Sequence, residues 1–194
     1  MGQISINNGM TGAGVVSQDI RNITVDNILN ISESIAAGQS GTINGSYVVT
    51  LASGHGILDT DTVGVYWDGG YRYGVDVTAV DTTTITLDNT TGDGTALPVT
   101  GTVYISIVTE LDLAFSGNAM AAFSLGGNIG LFFTIEDGAS VHAARETAAS
   151  ASYQWDSGNA ETNPVAGDSV TKINVYNQST TAGTITGLIG YDNA

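Results

Sequence analysis

Cysteine is absent from the sequence, and only four of its 194 residues are basic, Lys172 being the single lysine. Without cysteine there are no disulfides, no thiolate nucleophile and no sulfur-ligated metal. The four bases stand against 19 acids, a formal net charge of −15. Binding to nucleic acid draws on Lys and Arg that displace condensed counterions, and docking to an anionic membrane surface needs the same residues. Neither nucleic acid nor membrane is therefore an expected partner. Charged residues reach only 12%, against roughly 25% in an ordinary soluble domain, so Thr, Ser, Asn and 26 Gly must finish the surface. Two readings of the acidity stand side by side: solubility through mutual repulsion, or an assembly in which divalent cations or a basic partner offset the charge.

Long apolar runs are missing too. None approaches the ~20 residues a membrane-spanning helix needs. The opening Met1-Gly-Gln-Ile-Ser-Ile has neither a basic stretch nor an apolar one, so no signal peptide is expected, and a cytoplasmic origin is. Catalytic patterns are equally scarce. There are two histidines, His55 and His142, and His55 sits between Gly54 and Gly56, where a turn role fits it better than catalysis. Gly-x-Ser-x-Gly, His-Glu-x-x-His and the glycine-rich phosphate loops do not occur. Glu110, Glu136, Glu146 and Glu161 supply carboxylates for acid–base chemistry, but among 19 acids some pair is always at hand. No catalytic residue is assigned, and a non-enzymatic protein is expected.

What is present is β-sheet patterning. Thr62–Val80 reads as a hairpin, with alternating apolar runs on either side of Asp68-Gly69-Gly70, residues that supply the positive φ of tight turns. Tyr47–Leu51, Val63–Trp67, Arg72–Val80, Thr83–Leu87 and Thr102–Val108 are strand candidates at about ten-residue spacing, a pattern that fits a small barrel or a sandwich. Gly38-Gln-Ser-Gly41 reads as a loop and boundary, and Asp88–Gly94 as a closing loop. Ile20–Ala37 leans to strand, because β-branched residues outnumber good helix formers. Leu131-Phe-Phe-Thr-Ile135 is apolar throughout, as a strand covered on both faces must be. Ala139–Trp155 fits a helix capped by Ser140 and a strand equally well. Asp156–Asp168 reads as a polar loop, and strands are expected at Ser169–Asn177 and Thr184–Tyr191. The expected architecture is all-β in two lobes of short antiparallel strands. Residues 1–41 form an extended N-terminal arm with one strand, 42–110 a small barrel, and 111–194 a sandwich-like C-terminal region.

Two clusters are candidates for binding. Trp67, Asp68, Tyr71 and Tyr73, with Tyr66 on the face opposite Trp67, have the composition of a sugar-stacking platform, or of barrel core plus a subunit contact. Asp88, Asn89 and Asp93 lie in an oxygen-rich, glycine-bent loop that suits Ca²⁺, or simply Asx turns closing hairpins.

The run Gly54-His-Gly-Ile-Leu-Asp-Thr-Asp-Thr-Val-Gly-Val-Tyr-Trp67, followed by Asp81-Thr-Thr-Thr-Ile-Thr-Leu-Asp88, resembles the small β-barrel modules of tailed-bacteriophage virion proteins. The close from Lys172 to Gly190 is similar to terminal strands in such proteins. The resemblance lies in texture and carries no functional residue across. It implies a structural component of the virion, foremost a capsid decoration protein that binds its own copies, a trimer among the arrangements, and the capsid or another virion protein. The alternative it leaves is a tail or head-fibre module that binds a receptor or glycan.

Overall fold

The computed structural model describes residues 2–9, 18–25, 27–111, 113, 119–136, 141–156 and 170–192. Every regular element among them is a strand, in keeping with a chain rich in Thr, Val and Ile. In chain order they are β1 (Gly2–Gly9), β2 (Gln18–Val25), β3 (Asn27–Ile35), β4 (Gln39–Ile43), β5 (Val48–Thr50), β6 (Thr62–Trp67), β7 (Gly70–Val80), β8 (Thr84–Leu87), β9 (Asp93–Gly94), β10 (Gly101–Ile107), β11 (Thr109–Glu110), β12 (Ala119–Gly127), β13 (Leu131–Glu136), β14 (Val141–Thr147), β15 (Ser152–Asp156), β16 (Lys172–Asn177) and β17 (Gly183–Asp192).

Six strands close an antiparallel barrel in the order β6-β10-β4-β5-β8-β7, and β7 returns to β6. Its interior is filled by β-branched and leucine side chains, among them Val49, Val63, Val65, Val75, Ile85 and Val103, all fully covered. Closure removes the open edges a small sheet would otherwise present. The segment Gly38–Gly41, expected as a loop, instead runs into barrel strand β4. Gly41 is there for close packing: a Cβ would sit 2.7 Å from Leu51 Cδ2, Thr50 O and Val49 Cγ1. The expected Asp88–Gly94 loop ends in β9, which pairs with Arg72 and Tyr73 of β7.

The second lobe is a sandwich of two antiparallel four-stranded sheets, β11-β16-β13-β14 and β15-β12-β17-β3. Phe123, Leu125, Ile185 and Ile189 from one sheet interlock with Phe133, Ile135, Ile173 and Val175 from the other, and the Phe123 and Phe133 rings lie 5.6 Å apart. Strand β3 belongs here, with Ile31 and Ile35 in the core. The Ala139–Trp155 stretch resolves as two strands, β14 and β15, joined by a turn in which the Ala151 N–H donates to Ala148 O at 3.0 Å. Pairing with β13 and β12 overrides the helix propensity of its alanines. Ser140 and residues 157–168 of the expected loop lie outside the described residues, as do residues 10–17 of the arm. Where residues 1–41 were expected to be an arm with one strand, the described part carries β1, β2, β3 and the start of β4: β1 pairs with β2, and β3 joins the sandwich.

Candidate functional site: the cleft between the lobes

The lobes meet where β13 and β16 turn their second face towards the barrel. Alternation places Ile173 and Val175 in the sandwich core and Lys172, Asn174 and Tyr176 on the opposite side. Their cross-strand partners on β13 are Glu136, Thr134 and Phe132. The pairs therefore grade along the sheet from aromatic (Phe132–Tyr176) through amide and hydroxyl (Thr134–Asn174) to charged (Glu136–Lys172). This is why Leu131–Ile135 is apolar on both faces: one packs the sandwich, the other the barrel.

The barrel answers with tyrosines. Val75 and Val77 point inward, and Tyr71 and Tyr73 share their parity, so a regular strand would send all four to the same side. A bulge intervenes, marked by the register shift against β6 and by Gly74 at φ +68°. Past it, Tyr71 and Tyr73 face outward with Tyr66 onto Phe132, at ring separations of 4.8, 5.0 and 6.4 Å. The seam is a small second core of Tyr66, Tyr73, Phe132 and Tyr176. Asn177, 1% exposed, locks its rim: its Nδ2 donates to Ala36 O (2.7 Å) and Thr181 O (2.8 Å), and its Oδ1 accepts from Ser179 N (2.7 Å). Its own backbone N–H reaches Ser106 Oγ of the barrel at 2.8 Å.

At the charged end the seam opens into a cleft of about 310 Å³, lined among others by Tyr73, Asp93, Glu136, Lys172, Asn174 and Tyr176. Glu136 Oε1 accepts from Thr134 Oγ1 (2.7 Å) and Asn174 Nδ2 (2.9 Å). Lys172 Nζ lies 3.0 Å from Glu110 Oε2. The Tyr73 hydroxyl donates to Asp93 Oδ2 at 3.2 Å. Burial, and then the Asp93 carboxylate, push the Tyr73 phenol up to about 12. Burial raises Tyr176 as well, with Glu136 and Tyr73 adding to it against the opposing hydrogen bond to the Gly74 backbone. Among the described residues three buried polar atoms have no partner: Tyr66 OH, Thr147 Oγ1 and, at the cleft, Asn174 Oδ1. Chemically the cleft offers more acceptors than donors.

The residues singled out from sequence are divided by this arrangement. Trp67 packs against the barrel core, Asp68 is exposed in the hairpin turn, and Tyr71 and Tyr73 lie at the seam with their rings stacked 6.4 Å apart. The four do not form one surface. Asp88 Oδ1 accepts from Thr90 N (2.8 Å) and Thr90 Oγ1 (2.6 Å), and these bonds hold its carboxyl below the usual range. Asp93 divides its oxygens between Gly94 N and the Tyr73 hydroxyl, and Asn89 is exposed beside them. Asp88 and Asp93 thus serve local turns and β7. Among the described residues no group of three or more His, Asp or Glu is gathered for a metal. His55 accepts from Ile57 N at Nδ1 (3.1 Å) and contacts Asp81 O through Nε2 (2.9 Å), which pins two barrel loops together. Asn174 and Tyr176 escaped the sequence reading as a site, and Glu136 entered it only as one carboxylate among many. The polar–apolar alternation of Lys172-Ile-Asn-Val-Tyr was the available signal, but it does not say what the polar face meets.

No protein-family model, curated protein or solved structure matches the chain.

Proposed function

We propose that the chain is a non-enzymatic structural protein of a viral particle, a capsid-decorating accessory protein that reinforces the shell by pairing with its own copies and seating on the capsid. The observation that carries this reading is the edge of β3. It is a nine-residue strand at the end of its sheet, and no described strand pairs with its outer side. Edge strands are ordinarily blunted by charge, proline or shortness. Here Ile28, Asn30, Ser32 and Ser34 are exposed and uncharged, and Glu33 is the one charged residue of the strand. An antiparallel two-fold pairing centred on Ile31 would set Asn30 against Ser32 of the second copy and Glu33 against Leu29, so that like charges do not meet. Such a pair is isologous, and repetition over a lattice multiplies a modest contact by avidity.

Light scattering on the purified chain tests self-association and separates a two-fold pair from a trimer. Ser32→Lys, which puts a charge on the open edge, should return it to monomers without loss of fold. Co-sedimentation with intact particles at fixed stoichiometry tests the virion assignment. A chain that stays monomeric at high concentration and ignores particles would overturn it.

A further inference from the structure

We infer that the cleft between the lobes is a receptor for the arginine or lysine side chain of a basic partner segment. Four observations converge on it. The cavity, about 310 Å³, holds an alkylguanidinium or alkylammonium group but is small for a folded element. Its charge balance is uneven: among the described residues Asp93 and Glu136 line it, and the one cation, Lys172, is engaged by Glu110. Asn174, 8% exposed, brings an amide oxygen that has no hydrogen-bond partner. That atom and Glu136 Oε2, which takes neither the Thr134 nor the Asn174 bond, are acceptors suited to N–H donors. Tyr73 and Tyr176 complete the wall, and their phenols already sense the surrounding carboxylates.

The same inventory argues against a sugar. A saccharide site wants an exposed aromatic face to stack on, whereas both tyrosines are nearly covered, packed on Phe132. A second copy is a poor source of the donor: of the chain's four basic residues, Lys172 lies in the cleft itself and the Arg72 guanidinium already donates to Thr91 O (2.7 Å) and Gly92 O (3.2 Å), which leaves only Arg21 and Arg145. A protein of charge −15 meets basic segments readily through long-range attraction. The cleft would then fix where such a segment sits.

The probes are Nα-acetyl-arginine amide and Nα-acetyl-lysine amide, with the citrulline analogue as the neutral isostere of arginine, titrated into the full chain and followed by backbone amide chemical shifts. The expected result is saturable movement at Asp93, Glu136, Asn174 and Tyr176 with both cations, weakening as salt is raised, and none with citrulline. Glu136→Gln keeps an acceptor for Thr134 and Asn174 and should weaken binding about tenfold, as loss of one partner of a half-buried charge pair does. Asp93→Asn is the second variant, and should weaken it in the same direction. Equal binding of citrulline, indifference to both substitutions, or glucose saturating the same residues while the cations do not would each overturn the assignment. Self-pairing through β3 is separable, because Ser32→Lys leaves the cleft intact.

Discussion

Removing one ring at the seam should uncouple the two halves of this molecule. Phe132 is fully covered, and it is the residue every seam tyrosine touches: Tyr71 at 4.8 Å, Tyr73 at 5.0 Å, Tyr176 at 6.0 Å and Tyr66 at 6.4 Å. Truncation of a buried phenylalanine to alanine costs about 3–5 kcal/mol, the transfer of the ring plus the void it leaves. The void here has little means of collapse, since one wall is a barrel strand and the other a sandwich strand. Phe132→Ala should therefore fall at the upper end, about 4 kcal/mol, a large share of the 5–15 kcal/mol that stabilises a typical domain. Phe132→Leu should cost roughly 1–1.5 kcal/mol, as a swap nearer in volume does. The chain carries its own reporters: two tryptophans, Trp67 in the barrel and Trp155 in β15 of the sandwich. In guanidinium unfolding of single-tryptophan versions, the two midpoints should coincide when Phe132 is present and separate when it is alanine. If the alanine variant loses less than about 1 kcal/mol, or the probes still coincide, the seam is not what joins the lobes.

The remaining expectations concern the same region. Tyr66, Tyr73 and Tyr176 all have phenols raised above their ordinary value of 10.0, so above pH 10 the unfolded chain loses these protons first and the fold is progressively destabilised. For Tyr66 and Tyr176, 7% and 1% exposed, the loss continues as pH rises further, while the Tyr73 contribution is spent near pH 12. Absorbance at 295 nm should show part of the eight tyrosines ionising only with unfolding, and smooth ionisation near pH 10 in a folded chain would refute this. Asn177→Ala strips three side-chain hydrogen bonds from the rim and should cost about 3 kcal/mol in urea unfolding. Asn177→Asp should be no better, since it keeps the acceptor for Ser179 but turns a carboxylate on two carbonyls, so a tolerated aspartate would contradict the assigned bonds. Self-association of so acidic a chain should strengthen as salt screens repulsion, and light scattering at low and high ionic strength reads this directly.

Much of the fold was legible because its signal is local. Alternation in Val63–Trp67, Thr84–Leu87 and Val103–Ile107, punctuated by Asp-Gly and Gly-Gly, is what a strand with one face in a core must look like. The places where reading failed share a cause. Gly41 looks like a loop residue, yet it is a strand residue pressed against Val49 and Leu51, and only the packed barrel reveals that approach. Ala139–Trp155 fitted two periods at once, and partners far away in the chain decided between them. Gly74 hides a bulge, and without it Tyr71 and Tyr73 cannot be told from Val75 and Val77.

Composition and short-range pattern by themselves determined that this protein is built of β-strands, that its formal charge is −15, and that it has no thiol. Those properties depend on residue types and on a two-residue repeat. Which faces meet is a different kind of fact. The seam of four tyrosines on Phe132, the three bonds of Asn177 and the acceptor-rich cleft join residues more than a hundred positions apart in some cases. Only the tertiary structure decided them, because a strand has two faces and its sequence says what each can bury but not what will cover it.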